Sequence, residues 1–124
     1  MRTERGGRVI GPTSTRDLTP PEFHFLVAMR QMVFGRIEFI RIEHGQIVLD
    51  PWPHMMRSIK FGSGDPSARA RSQESYELKI QVIEFFTYVR SVDVGEIRLL
   101  EVHHGLPFSM EIELQMKGLG KYRG

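Results

Sequence analysis

The feature of this sequence that most constrains the fold is an approximate internal repeat with an offset of sixty residues. Residues 29–48 (MRQMVFGRIEFIRIEHGQIV) align without a gap with residues 89–108 (VRSVDVGEIRLLEVHHGLPF). Five of the twenty aligned pairs are identical: Arg30/Arg90, Gly35/Gly95, Ile37/Ile97, His44/His104 and Gly45/Gly105. Self-similarity of this kind indicates a duplicated structural unit. A unit of about forty residues seldom folds alone, so we expect the two units to share one hydrophobic core.

Each unit is predicted to fold as a helix, a tight break, a strand, a turn and a second strand. The first helix has a clear start signal, because Thr19 is a favoured N-cap residue, Pro20 suits the first helical position and Glu22 completes a capping box. The second unit has apolar residues at spacings of four and three, which is typical of an amphipathic helix. These residues are Leu78, Val82, Phe85, Val89 and Val92. The start of this helix stays open, because residues 74–82 also alternate like a strand.

The strands that follow share an irregular alternation. Gly35 and Gly95 are predicted to end the two helices with positive φ angles. In each strand two apolar residues then stand side by side and shift the alternation by one position. The residues concerned are Ile37, Phe39, Ile40 and Ile42 in the first unit, and Ile97, Leu99, Leu100 and Val102 in the second. Such a shift indicates either a β-bulge or a strand buried on both faces.

The turns predict two hairpins whose return strands differ. His44-Gly45 and His104-Gly105 are typical of hairpin turns in which glycine supplies a positive φ. In the first unit the return strand is cut short by residues 50–53 (DPWP), because proline interrupts strand pairing. In the second unit the alternation of apolar and polar residues continues through 109–116, which predicts a half-buried strand.

These elements predict an α+β fold with a pseudo-twofold repeat of helix plus β-hairpin. We expect a mostly antiparallel sheet of four or more strands, with two helices on one face. If the helices cover the side of Ile37 and Ile97, the other face carries four aliphatic residues, which are Ile40, Ile42, Leu100 and Val102. An apolar sheet face of this kind predicts a surface for a second copy or a protein partner. Trp52 is either a further anchor for a partner or a cap on the edge of the core.

The charge distribution predicts the domain limits. The chain has seventeen Lys and Arg and fifteen Asp and Glu, so its net charge is +2. Residues 1–18 and 117–124 are interpreted as flexible basic tails around a single domain, 19–116. Within that domain, repeats 19–61 and 72–116 are joined by a Gly- and Ser-containing linker at 62–71. Basic tails and a basic linker leave nucleic-acid binding as the alternative function, because such segments attract phosphate backbones.

The repeated unit, a helix followed by G-x-I-x-x-x-x-x-x-x-G-x-I, resembles the YezD family of short bacterial proteins. Residues 34–48 (FGRIEFIRIEHGQIV) carry this pattern best, and residues 94–107 carry its equivalent in the second unit. Members of the family are shorter and hold one such unit, so this chain resembles a tandem duplication. They usually continue the second strand, which Pro51 and Pro53 interrupt here. The resemblance implies a cytoplasmic helix-plus-hairpin module and implies no catalytic residue.

Candidate chemistry is sparse. The chain has no cysteine, which excludes disulfides and thiolate metal sites and fits a cytoplasmic protein. His44, His103 and His104 lie in predicted turns without the spacing of a metalloenzyme, so no metal or other cofactor is expected. Arg30 and Arg90 occupy equivalent positions near the helix ends. There they hold a shared anion, neutralise the helix dipole and its last carbonyls, or pair with a nearby acidic residue.

The sequence therefore favours a small non-enzymatic interaction module that forms a homo-oligomer or docks on a protein partner. An enzyme that uses the turn histidines is the least favoured of the three hypotheses. No apolar run in the sequence is long enough for a membrane span, so no membrane contact is expected.

Overall fold

The two helices begin and end at recognisable signals. In the computed structural model, which describes residues 11–62 and 78–114, α1 spans Pro20–Met32 and α2 spans Ile80–Arg90. The Thr19 hydroxyl accepts a hydrogen bond from the amide of Glu22, and the Glu22 carboxylate accepts one from the amide of Thr19 at 3.0 Å. The predicted capping box is thus confirmed. Residues 80–82 are helical, whereas residues 74–77 lie outside the described residues.

The five strands of the described residues form one antiparallel sheet. They are β1 (Gly35–Glu43), β2 (Gln46–Val48), β3 (His54–Arg57), β4 (Val94–His103) and β5 (Leu106–Leu114). The order is β2-β1-β4-β5, and β3 pairs with residues 35–38 of β1, on the edge that β2 occupies farther along. The predicted α+β class is confirmed. Neither described helix is long and apolar enough to span a membrane.

The central pair of strands, β1 and β4, comes from the two predicted repeats. Gly35 pairs with Val102 and Ile42 pairs with Gly95, so a shift of sixty positions exchanges one pair with the other. Both turns also have positive φ angles at histidine and glycine, as a two-residue type I′ hairpin requires. This register is compatible with a duplication. The pseudo-twofold repeat stays a prediction, since two unrelated antiparallel strands can pair in the same way.

A residue with a left-handed backbone conformation resolves the irregular alternation of β1. Phe39 has a φ of 61°, and the ladder with β4 passes from the pair Glu38–Leu99 to the pair Ile40–Ile97, so Phe39 stands opposite Arg98 without pairing to it. Ile37 and Ile40 are both fully buried, so they point to the same side of the sheet although they are three positions apart. That side packs against both helices in one core. The core members are Phe25, Leu26, Met29, Met32, Ile37, Ile40, Ile42, Ile47, Leu78, Val82, Phe85, Phe86, Val89, Val92, Ile97, Leu100 and Val102.

The predicted apolar partner face is therefore wrong. Its four aliphatic residues, Ile40, Ile42, Leu100 and Val102, are at most 1% exposed and belong to the core beneath the helices. The prediction took β1 as a strand buried on both faces, with an unbroken alternation of period two, and Phe39 interrupts that alternation. These four residues are therefore not accessible to a partner in the folded domain.

The predicted role of the two glycines is also wrong. Neither Gly35 nor Gly95 has a positive φ, and α1 ends at Val33, whose own φ is 66°. Gly35 is needed for space instead: a Cβ there would stand 2.2 Å from the carbonyl oxygen of Met56. The missing side chain is what allows β3 to approach β1 so closely.

Residues 11–18 pack onto the domain, so the prediction of a flexible tail over 1–18 is wrong for these residues. Thr15–Asp17 form a short 3-10 helix, and the carbonyl of Thr13 accepts a hydrogen bond from the amide of Leu78 at 3.2 Å. Leu18 packs against the core. The rest of that predicted tail (1–10), most of the predicted linker (63–71) and the C-terminal segment (115–124, including Met116) lie outside the described residues.

Candidate functional site

The sheet face that no described helix covers is charged. Cross-strand register places six glutamates and three arginines on it: Glu38, Glu43, Glu96, Glu101, Glu111, Glu113, Arg36, Arg41 and Arg98. Arg41 pairs with Glu43, and Arg98 pairs with Glu113. Phe39 is half exposed, with the Arg98 guanidinium 5.7 Å from its ring centroid. With acidic residues in excess, this face is not suited to hold a phosphate backbone.

A groove with a mostly apolar lining lies outside the core, between α1 and β3. The chain leaves β2 at Val48 and passes through residues 50–53, where Pro53 is buried but Trp52 remains 46% exposed. The groove beside this tryptophan is open, with a volume of about 380 Å³. Its lining consists of Ala28, Gln31, Met32, Trp52, Met55 and Arg57. Of the predicted partner-binding residues, only Trp52 is accessible.

The register of β3 explains which of its side chains line the groove. Met55 lies opposite Ile37, and Arg57 lies opposite Gly35. Directly opposed residues in an antiparallel pair share a face, so Met55 and Arg57 lie on the helix side of the sheet, as Ile37 does. His54 and Met56 lie on the charged face. The groove is thus continuous with the core rather than with the charged face.

Arg57 is fixed at the end of α1. Its Nε donates a hydrogen bond of 3.1 Å to the carbonyl of Met32, one of the last carbonyls of the helix. A cation at this position neutralises the negative end of the helix dipole. Arg57 is also the only charged residue among those that line the groove. Its two Nη groups have no partner among the residues that the structure describes.

The outer edge of β3 carries backbone groups that no strand of the described ranges, 11–62 and 78–114, pairs with. In the described part of the chain β3 pairs with β1 alone. The edge of β3 and the apolar lining of the groove therefore lie side by side. An exposed strand edge next to an apolar groove is the geometry to which an extended peptide can add as a further strand.

The two predicted anion-binding arginines have different surroundings. Arg90 donates to both oxygens of the Glu22 carboxylate, at 2.7 and 2.8 Å, and to the carbonyl of Asp17 at 2.8 Å. The hydrogen bonds that Glu22 accepts raise the pKa of Arg90 further above its ordinary range, against the opposing effect of burial. Arg30 forms no hydrogen bond or ion pair within the described ranges 11–62 and 78–114. An anion shared by both arginines would have to displace Glu22.

The turn histidines lie at opposite ends of the β1–β4 pair and are not brought together. His44 Nδ1 is 3.2 Å from the Asp93 carboxylate at one end, where both side chains are exposed. At the other end His103 stacks on Phe108, with ring centroids 4.1 Å apart, and His104 meets Phe34 edge-on. In the described residues no three His, Asp or Glu side chains are grouped closely enough to hold a metal ion.

Comparison with protein-family models, with curated proteins and with solved structures finds no match for this chain. The resemblance to the YezD family accordingly stays a prediction. Sequence reasoning singled out Trp52 from its flanking prolines but missed Ala28, Met55 and Arg57. No local pattern marks these three residues, because they meet only when β3 folds back onto β1.

Proposed function

We propose that this chain is a small, non-enzymatic, cytoplasmic protein-interaction module that docks a polypeptide partner beside Trp52. One observation carries the proposal: an open, mostly apolar groove lies on the α1 side of β3, next to a strand edge that has no partner strand in the described part of the chain. A large aromatic side chain at the rim of such a groove is typical of a binding anchor. The absence of cysteine supports a reducing compartment.

A polypeptide partner is favoured over nucleic acid by the distribution of charge. The open sheet face carries an excess of glutamate, which repels phosphate. Many of the basic residues on which the alternative depends lie in segments 1–10 and 115–124, outside the described residues. Nucleic-acid binding through those segments is kept as a distinct outcome of the test.

The test is a selection of random peptides from a displayed library on the intact chain, followed by titration of the enriched peptides. Trp52 is the only tryptophan in the chain, so its fluorescence reports directly on the groove. We expect enriched peptides to shift this emission to shorter wavelength and to lose binding to the Trp52→Ala variant. Phe108→Ala is the matched control, because Phe108 is 64% exposed on β5, at the other edge of the sheet.

Three results would contradict the proposal. The first is a set of peptides that bind wild type and Trp52→Ala equally well. The second is binding of mixed-length RNA or DNA at low salt that disappears when residues 1–10 and 115–124 are removed, with no Trp52-dependent peptide. The third is a stable oligomer in light scattering whose mass falls with Trp52→Ala, which would assign the groove to a second copy of this chain.

A further inference from the structure

We propose that the partner segment adds to β3 as an extended strand and carries an apolar side chain two residues away from a carboxylate. This inference rests on the proposed function and adds the chemistry of what is bound. It follows from the edge of β3, the two side chains that β3 contributes to the groove and the charge of one of them.

The edge of β3 sets the conformation of the partner. β3 is four residues long and pairs with residues 35–38 of β1. Within the described residues, no strand pairs with its other edge. A segment that lies along this edge satisfies the unpaired backbone groups only if it is extended. Its side chains then alternate between the groove and the charged face.

The spacing of Met55 and Arg57 sets the spacing of the partner's two specific side chains. Met55 and Arg57 stand two residues apart on the groove side of β3. Side chains that face them from a paired strand are also two residues apart, because both strands have a period of two. One of these partner side chains therefore meets Met55 beside Trp52, and the next on the same side meets Arg57.

The groove side of β3 sets the chemistry of each position. Besides Met55, the apolar part of the lining consists of Trp52 and of Ala28 and Met32 from α1, and Gln31 is its one uncharged polar member. Methionine side chains adapt to different apolar shapes, so an aliphatic residue of any common type fits there. At the other position Arg57 is the only charged residue that lines the groove. Its Nε donates to the carbonyl of Met32, and neither Nη group has a partner within the described residues. A carboxylate fits the two Nη groups as a bidentate acceptor.

A second copy of the chain that pairs through its own β3 does not supply this chemistry. The sequence of β3 is His54-Met55-Met56-Arg57, which contains no acidic residue. Pairing of two β3 edges would bring a second Arg57 to the groove side instead of a carboxylate. Charge complementarity therefore favours a foreign acidic segment over self-association through this edge.

The experiment uses the intact chain and three synthetic peptides that differ at one position each. The reference peptide is Thr-Thr-Glu-Thr-Ile-Thr-Thr-Thr, and its partners replace Glu by Lys or Ile by Ser. We expect the reference peptide to shift the Trp52 emission with saturation, and each replacement to weaken binding about tenfold, as the loss of one charged or apolar contact does. Methylation of peptide backbone nitrogens should weaken binding at alternate positions only, because alternate amides donate to the β3 edge.

Two protein variants examine the same contact from the other side. Arg57→Gln should weaken the Glu peptide about tenfold and leave the Lys peptide within about twofold. Arg36→Gln is the matched control, since Arg36 lies on the neighbouring strand and on the charged face. Circular dichroism checks the fold of Arg57→Gln because Arg57 also binds the end of α1. The Glu and Lys peptides probe the charge on wild-type protein, so the result does not depend on that variant.

The outcomes separate this inference from the proposed function. Equal affinities for the Glu and Lys peptides would overturn the carboxylate, and uniform effects of backbone methylation would overturn the added strand. Failure of the reference peptide, when library peptides bind through Trp52, would likewise overturn this inference while the proposed function stands. If no library peptide depends on Trp52, both fall.

Discussion

The two halves of the molecule, residues 20–57 and 80–114, share a backbone plan and differ in what surrounds it. Each half has a helix, a central strand and a His-Gly turn with positive φ. Each turn glycine also lies on the end of the other half's helix. A Cβ on Gly45 would stand 2.8 Å from the carbonyl oxygen of Arg90, and one on Gly105 would stand 3.3 Å from the Cα of Arg30.

The differences lie in one arginine partner and one return strand. Arg90 is held by Glu22, whereas the residue sixty positions after Glu22 is Val82, and Arg30 is without a described partner. The return strand is nine residues long in the second half, but in the first half it is broken into β2 and β3. The break exposes Trp52 and opens the groove. Turn and core residues thus specify the shared plan, while a few long-range contacts give each half its own surface.

The largest expected effect is on the free energy of unfolding, and it distinguishes Arg90 from Arg30. Arg90→Met leaves the Glu22 carboxylate fully buried without its cation, so it should lower the free energy of unfolding by about 3–5 kcal/mol. Arg30→Met, at the equivalent position, should lower it by less than about 1 kcal/mol. Urea denaturation of both variants measures the difference, and equal losses would contradict the assignment. Glu22→Leu combined with Arg90→Met should recover most of the loss, because no buried charge then remains.

The next largest effect compares the two edges of the sheet, at Gly35 next to β3 and at Gly95 next to β5. Gly35→Ala places a Cβ 2.2 Å from a backbone oxygen of β3, which cannot rotate away, so a cost of about 2–3 kcal/mol is expected. Gly95→Ala meets its nearest atom at 3.0 Å and should cost about 1 kcal/mol. Thermal or urea unfolding measures both. Of the two variants, only Gly35→Ala should also weaken peptides at Trp52, because β3 has to move. A larger loss for Gly95→Ala would argue against the close approach of β3 to β1.

The smallest effect concerns the turn that supports Arg90. The Asp17 carboxylate accepts hydrogen bonds from the backbone amide and hydroxyl of Thr13 and from the amide of Ser14, which hold its pKa below the ordinary 3.8. A depressed pKa means that the ionised form stabilises the fold at neutral pH, and that this contribution is lost as the pH falls through the pKa of the folded state. Asp17→Asn should be slightly less stable than wild type at pH 7.

The measurement for Asp17 is urea denaturation of wild type and Asp17→Asn between pH 7 and pH 2. We expect the difference between their free energies of unfolding to stay constant down to about pH 4 and to become smaller only below that pH. A gap that closes between pH 7 and pH 5 would point to another titrating group. The second half carries Glu77 at the corresponding position, outside the described residues.

Local sequence signals predicted the elements well where one residue determines one contact. The capping box of Thr19 and Glu22 and the His-Gly turns follow from residues that lie within a few positions of each other. The second role of Glu22 could not be predicted in the same way. Its partner Arg90 is 68 positions away, and only the arrangement of the two helices brings them together.

The prediction failed where backbone geometry departs from what residue types favour. The adjacent Phe39 and Ile40 indicated either a β-bulge or a strand buried on both faces, and the partner face rested on the second alternative. Phenylalanine rarely adopts a positive φ, so its residue type gave no sign that Phe39 interrupts the alternation, and the face of Ile40 and Ile42 was assigned to the wrong side. The strand β3 was not predicted either, because residues 54–57 show no alternation of apolar and polar side chains. β3 forms because the missing side chain of Gly35 leaves room for it next to β1. That contact joins two different strands, so no pattern within residues 54–57 indicates it.

The paired strands β1 and β4 are synthesised at different times. Glu43 pairs with Val94 and Gly35 with Val102, so the partners are 51 to 67 residues apart. During synthesis, Ile37, Ile40 and Ile42 leave the ribosome long before the strand that completes their sheet exists. Pairing of such distant segments is slow relative to local helix formation. The nascent first half therefore exposes a strand of three isoleucines until β4 arrives, and this interval is when the chain is most exposed to aggregation and to chaperones.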